Sequence, residues 1–247
     1  MRTRYNGVEQ GGGGGSVTAA AMEAALADPD DAGDFAAAVD RRFVDPMAGT
    51  GWSSTTPAGG AAATWGAGKL TIVVPPSTAG GAAVERSSGV IPADAPEWDL
   101  LARLDVVAGD NSSATRIALS AGANDANCVL VQLWTNGTVE LGKVVGGVYT
   151  GLGYGGASGL DSGVRTGGQL WMRLSRRLGG VFASWAPGSG GAVPNAWRTP
   201  QRNADDDAVR VAGGAYVRLS AATTNTSVTS GLTVDVLAIR ARGAAPL

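Results

Sequence analysis

The stretch Gln169 to Pro200, QLWMRLSRRLGGVFASWAPGSGGAVPNAWRTP, constrains this chain more than any other. Met172 and Leu174 alternate with Trp171, Arg173 and Ser175, so a strand here has one apolar face and one bearing an indole and polar groups. Gly179-Gly180 supplies the positive-φ positions of a short turn, Val181 to Trp185 resumes as a return strand, and a Gly-rich loop follows. The expectation is an antiparallel pair.

The same texture extends through most of the chain. Strands are expected at Glu97 to Val107, Ala114 to Ala121, Cys128 to Trp134, Thr138 to Val144, Gln169 to Arg176, Val181 to Ala186, Ala215 to Ala221 and Leu232 to Arg242. Turn signals separate them: Gly109-Asp110-Asn111, Asn136-Gly137, Gly146-Gly147, Gly179-Gly180 and Gly213-Gly214. Many short strands with no helical period after residue 43 argue for an all-β, two-sheet antiparallel sandwich over α/β. A chain of 247 residues with 44% hydrophobic residues can bury one large core of this kind. Its 39 glycines and 16% charged residues fit many tight turns and small side chains.

Composition excludes several kinds of chemistry. A net charge of −2 leaves no electrostatic footprint for nucleic acid or an anionic membrane. The absence of histidine removes the commonest general base, the commonest zinc ligand and any Ser-His-Asp arrangement. The single cysteine, Cys128, opens the apolar run CVLVQLW and is expected to be a small buried hydrophobe. No run is apolar and long enough for a signal segment or a membrane-spanning helix, so neither export by that route nor membrane insertion is expected.

Residues 1–42 differ from the rest. Ser16 can cap a helix through Val17, Ala20, Ala21, Ala24 and Leu26, and Asp28-Pro29 with Asp30 and Asp31 can open a second. That second segment carries Phe35, Val39 and Arg42-Phe43 at helical spacing. Both are short and alanine-rich, so residues 1–42 are expected to be a Gly-rich, helical attachment segment that orders against a partner, and 43–247 the sandwich. The glycines at 11–15 lack the preceding strand and the Lys-Ser/Thr of a phosphate-binding loop. Asn111-Ser-Ser, Asn136-Gly-Thr and Asn225-Thr-Ser match the glycosylation sequon and are expected to be turn residues.

The hairpin Leu170-Trp-Met-Arg-Leu-x-Arg-Arg, its Gly turn, Val-Phe-Ala-Ser-Trp and the loop Ser189 to Trp197 resemble the signature hairpin of concanavalin A-like lectin/glucanase jelly rolls. Phe43-Val-Asp-Pro with Trp52, followed by Gly-Lys-Leu-Thr-Ile at 68–72, resembles that family's entry. The resemblance covers residues 43–243 and implies a jelly roll, here with a short helical N-terminal anchor. It does not fix an activity, because this superfold carries many functions.

Glucanases of this fold place carboxylates at alternate positions of one strand, flanking the glycosidic bond about 5 Å apart. The glutamates here are Glu9, Glu23, Glu85, Glu97 and Glu140, and no two sit at i and i+2 on a strand, so the expectation is no enzyme. Asp205-Asp206-Asp207 could ligate a hard cation or form a solvated loop. Asp235, inside the apolar TVDVLAI, could hold a structural Ca²⁺, as some relatives of this fold do near their terminal strands, or hydrogen-bond a backbone amide; otherwise no cofactor is expected. The seven tryptophans invite a glycan-binding reading, since indoles stack on pyranose rings while arginine and amide groups bond hydroxyls. Alternation nominates Arg103, Gln132, Trp134, Arg173 and Trp185 as one polar ligand face, against the alternative that the tryptophans fill the core and the arginines pair with carboxylates.

The opening MRTRYNGVEQGGGGGSV is similar to the starts of minor tail proteins from phages of high-GC hosts. With no export signal and a mount ahead of the sandwich, this implies a virion structural protein assembled in the host cytoplasm, in the tail or its tip. Its expected partners are other virion proteins through the N-terminal segment, further copies of itself (three-fold association) and a host surface glycan. A capsid decoration or head fibre, a cell-wall carbohydrate-binding module and a glycosidase with a displaced site stand as alternatives.

Overall fold

The computed structural model describes residues 4–5, 8–9, 40–45, 47, 49–55, 57–77, 79–86, 90–91, 97–109, 114–155, 168–177, 180–188, 192–194, 196–203, 216–224, 226 and 231–244. The chain divides into two compact units, Met1–Val39 and Asp40–Leu247. In the first, β1 (Arg4–Tyr5) and β2 (Val8–Glu9) pair as an antiparallel ladder. The helices expected between Ser16 and Val39 lie outside the described residues, as do Asp205 to Asp207, Asn111 and Asn225.

The described elements of the second unit are all strands: β3 (Asp40–Asp45), β4 (Ser53–Ser54), β5 (Ala62–Gly66), β6 (Lys69–Val74), β7 (Gly80–Arg86), β8 (Trp98–Ala108), β9 (Thr115–Asn124), β10 (Asn127–Trp134), β11 (Val139–Val145), β12 (Val148–Gly155), β13 (Gly168–Arg177), β14 (Gly180–Pro187), β15 (Arg198–Asn203), β16 (Tyr216–Thr223) and β17 (Leu232–Ala244). One sheet has seven strands in the order β12-β11-β10-β9-β16-β7-β4. The other has eight, β15-β14-β13-β8-β17-β6-β5, with β3 also on β17. The β13–β14 hairpin read from the sequence is present, with Met172 opposite Trp185 and Arg177 opposite Gly180.

One expectation is corrected at the chain's entry. Arg42 and Phe43, the end of the supposed helical stripe, stand in strand β3, where Ala241 faces Phe43 and Arg242 faces Arg42 on β17. Phe43 packs against the core, and the ladder to β17 prevails over a helical period carried by few residues. The Phe-x-Asp-Pro motif has a structural explanation. Asp45 accepts hydrogen bonds from the Met47 backbone N–H (2.7 Å) and the Trp52 indole N–H (2.7 Å). The Arg86 guanidinium stands 3.7 Å from the same carboxylate and 4.9 Å from the centre of the Phe43 ring, so one buried acid ties the entry to β7.

The core lies between the sheets and is built from one parity of each strand. Leu100, Ala102, Leu104, Met172, Leu174, Ala183 and Trp185 come from the eight-stranded sheet, and Ile117, Leu119, Val131, Leu133, Val139, Leu141 and Leu219 from the seven-stranded one. In β17 the inward set changes from Leu232, Val234 and Val236 to Ile239 and Ala241. An irregularity between Val236 and Ala238 inserts the extra residue that makes this possible, so a 13-residue strand keeps its apolar side inward while pairing β6 with one half and β3 with the other.

Trp185 is 1% exposed and belongs to this core. Trp185→Ala is therefore expected to cost about 3–5 kcal/mol of unfolding free energy, measured by urea denaturation. A loss under about 1 kcal/mol would contradict its placement.

Candidate functional site

Alternation around the shared core decides where each candidate residue stands. Gln132 and Trp134 alternate with Val129, Val131 and Leu133, and so occupy the outer face of the seven-stranded sheet. Arg103 and Arg173 occupy the outer face of the other sheet, opposite Leu104 and Met172. Trp185 faces neither, being in the core. The single ligand face expected from the sequence is thereby corrected: its five members divide among two opposite surfaces and the interior, because alternation does not say which sheet a strand joins, which separates Gln132 and Trp134 from Arg103 and Arg173, nor which parity of β14 faces inward, which its register against Met172 decides.

On the eight-stranded sheet the polar groups engage one another. Arg173 donates from Nε (3.0 Å) and Nη2 (2.8 Å) to Asp99 Oδ1, which also accepts from the Ser175 hydroxyl at 2.6 Å. Its guanidinium carbon lies 5.2 Å from the centre of the Trp197 ring. Arg103 donates to Gln169 Oε1 at 2.7 Å, and Gln169 donates to Asp105 Oδ2 at 3.3 Å, beside an open depression lined by Asp105, Gly168, Gln169, Pro187 and Gly188. Trp171, also on this face, is buried with the Arg240 guanidinium 5.6 Å from its ring centre.

Asp235 lies on the same sheet and is 6% exposed. One oxygen accepts from the Lys69 ammonium at 2.5 Å and the other from the Thr71 hydroxyl at 2.6 Å. Calcium takes six to eight oxygen ligands. The donors here do not fit it: an ammonium occupies the cation's place, and among the described residues no three His, Cys, Asp or Glu side chains are grouped to hold a metal. The partners of Asp235 are two side chains, not the backbone amide considered from the sequence.

The outer face of the seven-stranded sheet is different. Gln132 on β10 stands directly opposite Glu140 on β11. Glu140 Oε2 accepts from the Trp134 indole N–H at 3.0 Å and from Gln132 Nε2 at 3.3 Å. Gln132 Nε2 also donates to the Tyr149 hydroxyl at 2.7 Å. The Arg116 guanidinium on β9 lies 5.1 Å from the Trp134 ring centre. Burial lowers the Arg116 pKa, while its neighbours Tyr149 and Glu140 oppose this; guanidinium remains a cation at neutral pH.

Gly142 makes this arrangement possible. A Cβ there would stand 2.6 Å from Tyr149 Cε2 and 2.9 Å from its hydroxyl, so only glycine lets the ring lie across β11 to reach Gln132. Glu140 is 1% exposed, and its Oε1 is buried without a hydrogen-bond partner among the described residues. Tyr149 is 45% exposed. An indole, a guanidinium, an amide, a phenol and a carboxylate acceptor thus converge on one sheet face, with chemistry suited to stacking on a flat apolar ring and bonding hydroxyl groups around it.

Gln132 and Trp134 were named from alternation, whereas Arg116, Glu140 and Tyr149 were not. Arg116 alternates with Ile117 and was open to the same argument, but Glu140 needs the register of the β10–β11 turn and Tyr149 needs the space at Gly142.

Further along this face Cys128, 3% exposed, packs with Ala118 and Leu130 as the sequence implied. Burial pushes its thiol up from 9.0 to about 11, with Arg218 opposing and Asp125 adding.

No family model matches this chain, and no curated protein does. Solved structures do. The exoplasmic/lumenal domain of VIP36, in a Ca²⁺/Man3GlcNAc-bound form, matches with a TM-score of 0.57 at 12% identity, covering 81% of this chain and 86% of that one. Lectin I-B4 of Griffonia simplicifolia matches at 0.55 and 14% identity, covering 82% and 99%. The CBM2 module of the evolved Dit of Lactobacillus casei BL23 phage J-1 matches at 0.58 and 7% identity, covering 83% and 96%. At such identities the likeness establishes the fold: the sandwich is a lectin-like jelly roll.

Because thiolate is the reactive form, native Cys128 is expected to resist a disulfide reagent at pH 8 and to react once the chain is unfolded. A thiol raised on folding contributes stability in full below about pH 9 and loses it as the pH rises through about 11. Rapid labelling of the native protein at pH 8 would contradict this.

Proposed function

We propose that this chain is a non-catalytic structural protein of a bacteriophage virion, in the tail or its tip, whose jelly roll contacts host-surface glycan through the outer face of its seven-stranded sheet. The observation that carries the reading is the convergence of Arg116, Gln132, Trp134, Glu140 and Tyr149 on that face. The likeness to the CBM2 module of a phage Dit, and to the VIP36 exoplasmic/lumenal domain with bound Man3GlcNAc, supports both halves of the reading.

The chemistry of the cluster supports the non-catalytic reading. Glycosidic hydrolysis uses two carboxyl groups flanking the bond, and the group around Trp134 contains Glu140 alone. Attachment is assigned to the N-terminal segment, with virion proteins as its partners and three copies as the assembly. A capsid decoration or head-fibre position would use the same mount. A cell-wall carbohydrate-binding module would use the same glycan face without any particle.

Two experiments test the two halves. Trp134→Ala is expected to weaken retention on a glycan array by about 1–3 kcal/mol, the range for aromatic stacking on flat ligands, while the chain stays folded by circular dichroism. Unchanged retention would remove the indole from the site. Co-sedimentation with phage particles is expected for the full chain and not after deletion of residues 1–39. Equal incorporation of both forms would place attachment in the sandwich.

A further inference from the structure

The Glu140 carboxylate is the least satisfied group of the cluster. Its Oε2 accepts two hydrogen bonds, from Trp134 and Gln132, whereas Oε1 is buried and accepts none among the described residues. A carboxylate is acceptor-only, and leaving a buried lone-pair site unfilled is costly. Of the side chains in the cluster, Trp134 and Arg116 are half-buried, whereas Tyr149, on edge strand β12, is 45% exposed. Tyr149 is held to the cluster by the Gln132 amide and by the space over Gly142.

We infer, resting on the glycan-contact reading above, that this face selects an uncharged, polyhydroxylated sugar, which takes the place of the Tyr149 phenol on Gln132 and donates a hydroxyl to Glu140 Oε1. The chemistry sets the class. The described cluster carries one cation, Arg116, and one anion, Glu140, so it offers no net positive field to a uronate or a phosphodiester. A ligand anion brought to Oε1 would meet a like charge in a site poor in water. A sugar hydroxyl instead supplies the donor that Oε1 lacks, and a bond to an ionised acceptor is roughly twice as strong as a neutral one. The phenol and the sugar hydroxyl offer Gln132 the same acceptor, so their exchange conserves that hydrogen bond while Oε1 gains one. Tyr149 is then a gate and Glu140 a specificity-determining residue.

The test is an array carrying neutral oligosaccharides of glucose, galactose, mannose, rhamnose and N-acetylhexosamine beside uronate- and phosphodiester-bearing counterparts. It is probed with the full chain and with Glu140→Gln, Tyr149→Phe and Gly142→Ala. The full chain is expected on neutral members. Glu140→Gln, which keeps the shape but replaces the ionised acceptor, is expected to lose about tenfold or more. Gly142→Ala pushes the phenol off the sheet and is expected to tighten binding a few-fold. Tyr149→Phe, which removes only the hydroxyl held by Gln132, is expected to do the same and keeps the test valid if Gly142→Ala fails to fold.

Retention on anionic members, strengthened by Glu140→Gln, would overturn the inference while leaving glycan contact standing. Weakening by Tyr149→Phe comparable to that by Glu140→Gln would also overturn it, by making the phenol part of the binding surface. No retention of the unaltered chain on any member would defeat the glycan-contact reading itself.

Discussion

The structure depends on one constraint: the two sheets bury a single apolar layer between them. Each strand must turn one parity inward, and this fixes what every remaining side chain can do. Met172, Leu174, Ala183 and Trp185 supply the inner surface of one sheet, and Val129, Val131 and Leu133 that of the other. Burial at roughly 25 cal/mol per Å² makes the inward set strongly preferred, and a slip of one residue would expose it. In β17 the apolar parity changes along the strand, and the backbone accommodates the change with an irregularity instead of exposing Ile239 and Ala241. The outward residues are free for polar chemistry because the inward ones hold the fold.

The two outer faces spend that freedom differently. On the eight-stranded sheet, acids and bases are matched: Arg173 with Asp99, Lys69 with Asp235, and Arg103 with Asp105 through Gln169. Such pairing neutralises charge, although the Arg103 Nε–H and the Trp171 indole N–H on that face are buried without a hydrogen-bond partner among the described residues. On the seven-stranded sheet Trp134, Gln132 and Tyr149 bond within a connected group that still leaves Glu140 Oε1 without a donor. A buried acceptor without its donor is the kind of local imbalance that functional surfaces retain.

Much of this was legible in the sequence, and the misses have physical causes. Eight strands and the β13–β14 hairpin follow from alternation and turn residues. Ser53–Ser54, Gly80–Arg86 and Val148–Gly155 were missed because small residues and glycine blur the period of two. Arg42–Phe43 went to a strand because sheet pairing outweighed a weak helical stripe. The site needed a register that turn chemistry alone gives wrongly. A two-residue turn at Asn136-Gly137 would set Gln132 against Leu141. Instead Trp134 donates its N–H to Thr138 O and Gly137, at φ +92°, closes a three-residue loop that sets Gln132 against Glu140. Trp185 misled because β14 carries apolar residues on both parities, and only its register opposite the inward Met172 shows that the indole faces the core.

The central claim is that ligand meets the seven-stranded sheet and not its partner. The most direct measurement is the indole N–H spectrum of the seven tryptophans in the ¹⁵N-labelled chain, titrated with a neutral oligosaccharide retained on the array. The Trp134 resonance, whose N–H is bonded to Glu140, is predicted to move with saturation, while those of Trp98, Trp171, Trp185 and Trp197 stay in place. Saturable movement of Trp171 or Trp197 with Trp134 unmoved would put the ligand on the opposite sheet and contradict the account.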